Sequence, residues 1–92
     1  MAENNRLRVL NILGGARDGG AEKFFERISL AFAKDSNIDL EIIIRKNSNR
    51  FARLKDTIKK IHQIKLFYFF NPLCHREIQR IFDEFKPNIV LS

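Results

Sequence analysis

A chain of 92 residues, 45% of them hydrophobic, supports one domain at most and buries only roughly 60–65% of the surface its unfolded form exposes. The single cysteine, Cys74, excludes an intramolecular disulfide and fits a reducing compartment; no run approaches the roughly 20 apolar residues of a bilayer span. The net charge of +6 is concentrated: between Arg45 and Lys65 eight basic residues face Asp56 alone, so one segment carries the whole excess.

The first residues, 1–8, are polar and lack the apolar centre of a signal peptide, so the expected location is the cytoplasm. Arg6 to Leu13 has the aliphatic and β-branched content of a buried strand. It runs into Gly14-Gly15-Ala16-Arg17-Asp18-Gly19-Gly20, and every glycine of the chain lies in these seven positions. Glycines let the backbone take positive φ and admit a ligand close to bare amides. A helix starting near Gly20 aims its unpaired N–H groups into the same space. This is the design of an anion or phosphate site.

The following segment is helical, because Ala21, Phe24, Phe25, Ile28, Ala31 and Phe32 recur at i, i+3, i+4, i+7 spacing with Glu26, Arg27 and Lys34 opposite. It is expected to stop near Asp35-Ser36-Asn37, which prefer turns. Ile38 to Ile44 reads as a second strand, and its unalternating Ile42-Ile43-Ile44 run suits a parallel strand covered on both faces. Asn47-Ser48-Asn49 can cap a second helix, with Phe51, Leu54, Ile58 and Ile61 as its apolar stripe among the basic residues. Ile64 to Phe70 reads as a third, aromatic-rich strand. Asn71-Pro72 opens the last helix as cap and first helical position, with Cys74, Ile78, Ile81, Phe82 and Phe85 on its buried face. Pro87 stops that helix and introduces a fourth strand, Asn88 to Leu91.

The succession βαβαβαβ predicts an α/β fold with a parallel sheet and right-handed crossovers. In the order 3-2-1-4, two helices cover one face and the Pro72 helix the other. The winding then reverses between the first and fourth strands, where such sheets bind ligands outside their carboxyl ends. That point lies between the glycine loop and Ser92.

Neither familiar phosphate fingerprint fits the loop. Ala16 or Arg17 falls where G-x-G-x-x-G needs its second glycine, and no Gly-Lys-Ser/Thr triplet exists. The pattern of strand, glycine loop, Gly19-Gly20-Ala21-Glu22 and helix resembles the start of the N-terminal domain of glycosyltransferase family 4, the retaining GT-B enzymes that move a sugar from a nucleotide-sugar donor. Lys86-Pro87-Asn88-Ile89-Val90-Leu91 looks like that family's "kPDIVh" strand. The resemblance implies a Rossmann-like, partial GT-B N-terminal domain over residues 1–92, the acceptor-side portion of a nucleotide-sugar-dependent transferase. Its donor-binding domain lies outside these residues, so the chain is expected to be a truncated fragment, inactive alone.

The same resemblance implies that Gly19 and Gly20, with Gly15 and Arg17 beside them, approach donor phosphates or the acceptor, and that no cofactor is needed beyond the sugar donor itself. An ordinary strand-to-helix turn is the alternative for the loop, and a solvated arginine the alternative for Arg17. Glu22 reads as a helix-start residue favoured by the helix dipole.

Lys55, Lys59, Lys60 and Arg53, with the apolar stripe, fit a helix that meets an anionic membrane surface, which suits a family with many lipid-linked acceptors. The alternative is that the stripe packs on the sheet and the charges are solvated. A competing class is a small basic α/β module that binds nucleic acid or another polyanion, with Phe67, Tyr68, Phe69 and Phe70 offering stacking surfaces. No RNP-type motif accompanies them, so nucleic acid is the less favoured partner. A response-regulator-like domain is disfavoured because the acidic cluster it needs after the first strand is missing. His62 and His75 are expected on different helices without metal-ligand spacing, and Cys74 as a buried structural thiol. Exposed sheet edge and face also predict a homodimer.

Overall fold

The computed structural model describes residues 6–13, 19–64 and 72–91. Gly14, Gly15, Arg17, the aromatic run 65–70, the Asn71 cap and Ser92 lie outside the described residues. The elements are β1 (Leu7–Ile12), α1 (Gly19–Ala33), β2 (Ile38–Arg45), α2 (Ser48–Leu54), β3 (Ile61–Ile64), α3 (Pro72–Phe85) and β4 (Ile89–Leu91). The four strands form one sheet in the order β3-β2-β1-β4, and every pairing is parallel. This is the expected Rossmann-like α/β arrangement.

Alternation along the strands sorts the core into two layers. Val9, Leu40, Ile42 and Ile44 pack with Phe25 of α1 and with Leu54 and Ile58. Leu10, Ile43 and Ile64 point the other way, onto Cys74 and Ile81 of α3. Ile42, Ile43 and Ile44 are all fully buried, so the unbroken apolar run of β2 belongs to a central strand covered on both sides.

Local chemistry fixes the element ends. The Asn47 side chain caps α2 by accepting from the Arg50 N–H at 2.9 Å. After α1, the Asn37 N–H donates to the Asp35 carboxylate at 2.9 Å, closing the turn that precedes β2. Lys86, at φ 54°, terminates α3 in the left-handed region, its N–H donating to the Phe82 carbonyl at 2.8 Å. Glycine normally takes that position. Arg8 then fastens β4 to β1: its N–H donates to Asn88 Oδ1 at 2.9 Å and its Nε to the Lys86 carbonyl at 2.8 Å.

The middle of the chain departs from the expected boundaries. The second helix ends at Leu54, short of the Ile58 and Ile61 expected on its stripe, and the third strand already begins at Ile61; the remainder of the expected Ile64 to Phe70 strand lies outside the described residues. Lys55 is the C-cap, and a turn follows in which the Ile58 N–H donates to the Leu54 carbonyl at 2.8 Å. Ile58 is buried from that turn, whereas Ile61 pairs with Ile42 as a strand residue. The basic segment is therefore a short helix followed by an irregular connection. His62 accordingly lies on β3 instead of a helix.

Candidate functional site

The carboxyl ends of β1 and β4 lie side by side, because Asn11 is in register with Leu91. They sit at the reversal of winding, since β2 is hydrogen-bonded on the other side of β1. From this edge β1 delivers the chain through Leu13, whose N–H donates to the Ile43 carbonyl at 2.9 Å, toward the start of α1. Gly19 and Gly20 are the first two residues of that 15-residue helix. Their N–H groups belong to the first turn, which has no intrahelical acceptors and carries the positive end of the helix dipole.

Two devices hold α1 in place. Inside the sheet layer, Asn11 Nδ2 donates to Ser29 Oγ at 2.9 Å, and both residues are buried. This bond satisfies two polar groups that would otherwise be costly inside an apolar layer. On the outer side, Arg50 of α2 reaches across to α1. Its guanidinium meets the Glu22 carboxylate at 3.0 Å and the Glu26 carboxylate at 2.9 Å, although Arg50 is only 6% exposed.

Arg53 adds a second clasp on Glu26, with Nε at 3.0 Å and a terminal nitrogen at 2.7 Å. The Arg53 hydrogen bonds, reinforced by those of Arg50, hold the Glu26 carboxyl below its usual range against the opposing effect of burial. The same pair raises the Arg53 guanidinium. Glu22, one turn into α1, is thus engaged by an arginine.

The predicted contact residues divide between the two ends of the sheet. Gly19 and Gly20 stand at the carboxyl edge, whereas Gly15 and Arg17 lie outside the described residues. Lys59 and Lys60 lie just before β3, and so at the amino edge, with Lys55 at the end of α2; all three are exposed. Arg53 is exposed but committed to Glu26. The structure therefore does not bring the glycine residues and Lys59 and Lys60 into one site.

Two pairings had no local signature. Arg50 is the centre of the α1–α2 network, and its signal is a like-charged pair on each helix: Glu22 with Glu26 four apart, Arg50 with Arg53 three apart. Such pairs repel within a helix, and here they neutralise each other across it. The second pairing is His62 Nε2 with Glu41 Oε1 at 2.7 Å on neighbouring strands.

Cys74 is buried in the α3 layer. No group of three or more His, Cys, Asp or Glu side chains is gathered for a metal among the described residues. No helix among them is long and apolar enough to cross a membrane.

Comparison with protein-family models, with curated proteins and with solved structures finds no match to this chain.

Proposed function

We propose that the chain is the acceptor-side, Rossmann-like portion of a nucleotide-sugar-dependent glycosyltransferase, with an anion-binding edge where β1 meets α1. The observation that carries this reading is where β1 ends and α1 begins. The carboxyl end of β1 lies beside β4 at the winding reversal of a 3-2-1-4 sheet, and the next described element in the chain is α1, which opens on Gly19 and Gly20. Amides of Gly19 and Gly20 without intrahelical acceptors favour a phosphate there. Arg50 supports the same reading, because pairing with Glu22 offsets a carboxylate that would repel an anion one turn away.

Transfer of a sugar requires charge stabilisation around the departing nucleoside diphosphate within an enclosed, preorganised site. One four-stranded sheet offers an open edge. The 92-residue chain therefore binds without turning over.

The test is a titration of isotopically labelled protein with nucleoside-diphosphate sugars, read by amide chemical shifts, alongside a donor-hydrolysis assay. Saturable shifts at Gly19 and Gly20, lost in Gly20→Asp, with no turnover above a heat-killed control, are expected. Absence of shifts at these amides removes the anion site, and measurable turnover removes the statement that the chain is inactive alone.

A further inference from the structure

At the end of the sheet opposite the glycine segment is a cavity of about 330 Å³, within the ~300–1,000 Å³ of ordinary small-molecule sites. Its polar wall comes from residues that enter or precede strands: Arg6 before β1, Asp39 in β2, and Thr57, Lys59 and Lys60 in the connection to β3. Its apolar floor is Ala33 at the end of α1, with Leu40 and Ile58. The last two are buried members of the core, so the floor is continuous with the packed interior.

The charge of this cavity is unbalanced. Among the described residues neither Lys59 nor Lys60 has an ion-pair partner. Arg6 donates one terminal nitrogen to the Ile38 carbonyl at 3.0 Å, leaving further N–H donors of its fork. Against these three cations stand Asp39 and the partial negative charge at the C-terminus of α1. Roughly one and a half positive charges remain, close to the charge of about −1.5 to −2 that a phosphate monoester carries near neutral pH. Solvated lysines on an open surface need no such floor.

We propose that this amino-edge cavity binds a phosphate monoester carrying a short apolar body, with the phosphate between Lys59, Lys60 and Arg6 and the apolar part over Ala33, Leu40 and Ile58. Thr57 adds a hydroxyl that donates to a phosphate oxygen. The same chemistry is offered by a soluble alkyl phosphate and by the headgroup and first methylenes of a phosphatidic acid. The site is separate from the glycine edge and stands whether or not that edge takes an anion.

Hexyl phosphate and inorganic phosphate serve as probes of the full 92-residue chain, read by calorimetry and by amide shifts. Hexyl phosphate is expected to bind one-to-one with shifts at Thr57, Lys59 and Lys60. It should bind at least about tenfold tighter than inorganic phosphate, since each buried methylene is worth roughly fourfold in affinity. The exposed double variant Lys59→Gln/Lys60→Gln should weaken it about tenfold or more, because charge-assisted contacts to phosphate are lost, whereas Lys55→Gln leaves it unchanged. Ala33→Leu, with its fold checked by circular dichroism, fills the floor and should reduce hexyl phosphate to the affinity of inorganic phosphate.

Phosphatidic acid vesicles that recruit the protein and release it to hexyl phosphate assign the ligand to a lipid; binding of hexyl phosphate without vesicle recruitment assigns it to a soluble compound. Equal affinity for the two phosphates, indifference to the double lysine variant, or shifts confined to Gly19 and Gly20 would overturn the proposal.

Discussion

Arg50 ties α2 to the first two turns of α1, and its removal takes a partner from two carboxylates. Breaking a buried ion pair costs about 3–5 kcal/mol where the remaining charge is left without compensation. Here Glu26 keeps Arg53 and the Glu22 side chain is 34% exposed. Arg50→Ala should therefore destabilise by less, about 2–3 kcal/mol, read as a shift in the urea midpoint. Arg50→Lys should recover only part of this, because an ammonium lacks the planar fork that serves two carboxylates. A variant as stable as the wild type would show that the network is ornamental to α1.

Glu26 gives the matching pH dependence. Its carboxyl is depressed by the Arg53 and Arg50 hydrogen bonds from an ordinary value of 4.5, so the unfolded chain binds its proton more readily than the folded one. The stabilisation is complete above the ordinary value and is lost as pH falls through the lower, folded value. Accordingly, Glu26→Gln should be less stable than the wild type at about pH 7 and should approach it as acid carries the solution below the ordinary carboxylate range and through the lowered value. Denaturant midpoints across that range check the sign; a gap that widened on acidification would contradict it.

At the scale of elements, the sequence made the order of strands and helices and the two-sided covering of β2 readable, because each rests on one dominant period. Ile42-Ile43-Ile44 has no exposed face to confuse the reading. The α2–β3 region was not readable for a definite reason. Ile58 and Ile61 continue the spacing of Phe51 and Leu54, yet the first is buried from a turn and the second is half-buried from a strand. β3 itself, Ile61-His62-Gln63-Ile64, is short and half polar, so it offers little alternation to set against the helical pattern. At the candidate site, the start of α1 after the glycine-rich stretch was legible from the helical spacing, whereas the Arg50 clasp joins residues 24 and 28 positions apart and exists only once α1 and α2 are side by side.

That same region carries the electrostatic expectation. Lys55, Lys59 and Lys60 are exposed and without carboxylate partners among the described residues. Near an anionic bilayer each lysine contributes about 1 kcal/mol, a contribution that fades beyond a Debye length of roughly 8–10 Å. Binding to phosphatidylserine-containing vesicles should therefore fall steeply with salt. Replacing the three lysines by glutamine should weaken it on the order of 100-fold. Unchanged sedimentation with vesicles would move the contact elsewhere, and much tighter retention by heparin or RNA at equal salt would favour a polyanion-binding module.

On the scale of the molecule, the β4 edge of the sheet leaves aliphatic side chains uncovered. Among the described residues β4 is hydrogen-bonded only to β1, and Ile89 and Val90 remain 40% and 43% exposed. The reason is geometric: α3 packs over Leu10, Ile43 and Ile64, while Val90, in register with Leu10, lies at the margin of that layer. An unpaired edge with exposed aliphatic side chains is a template for another strand. A second copy of the chain is its simplest occupant, since two β4 edges related by a twofold axis pair antiparallel and cover each other's Ile89 and Val90. Light scattering should then return a mass about twice 10.8 kDa at high concentration. Val90→Lys places a charge on the exposed edge, a device that blocks strand addition, and should return the protein to a monomer with its circular dichroism unchanged. A wild type that stayed at 10.8 kDa throughout a concentration series would show that β4 is protected by another part of the chain.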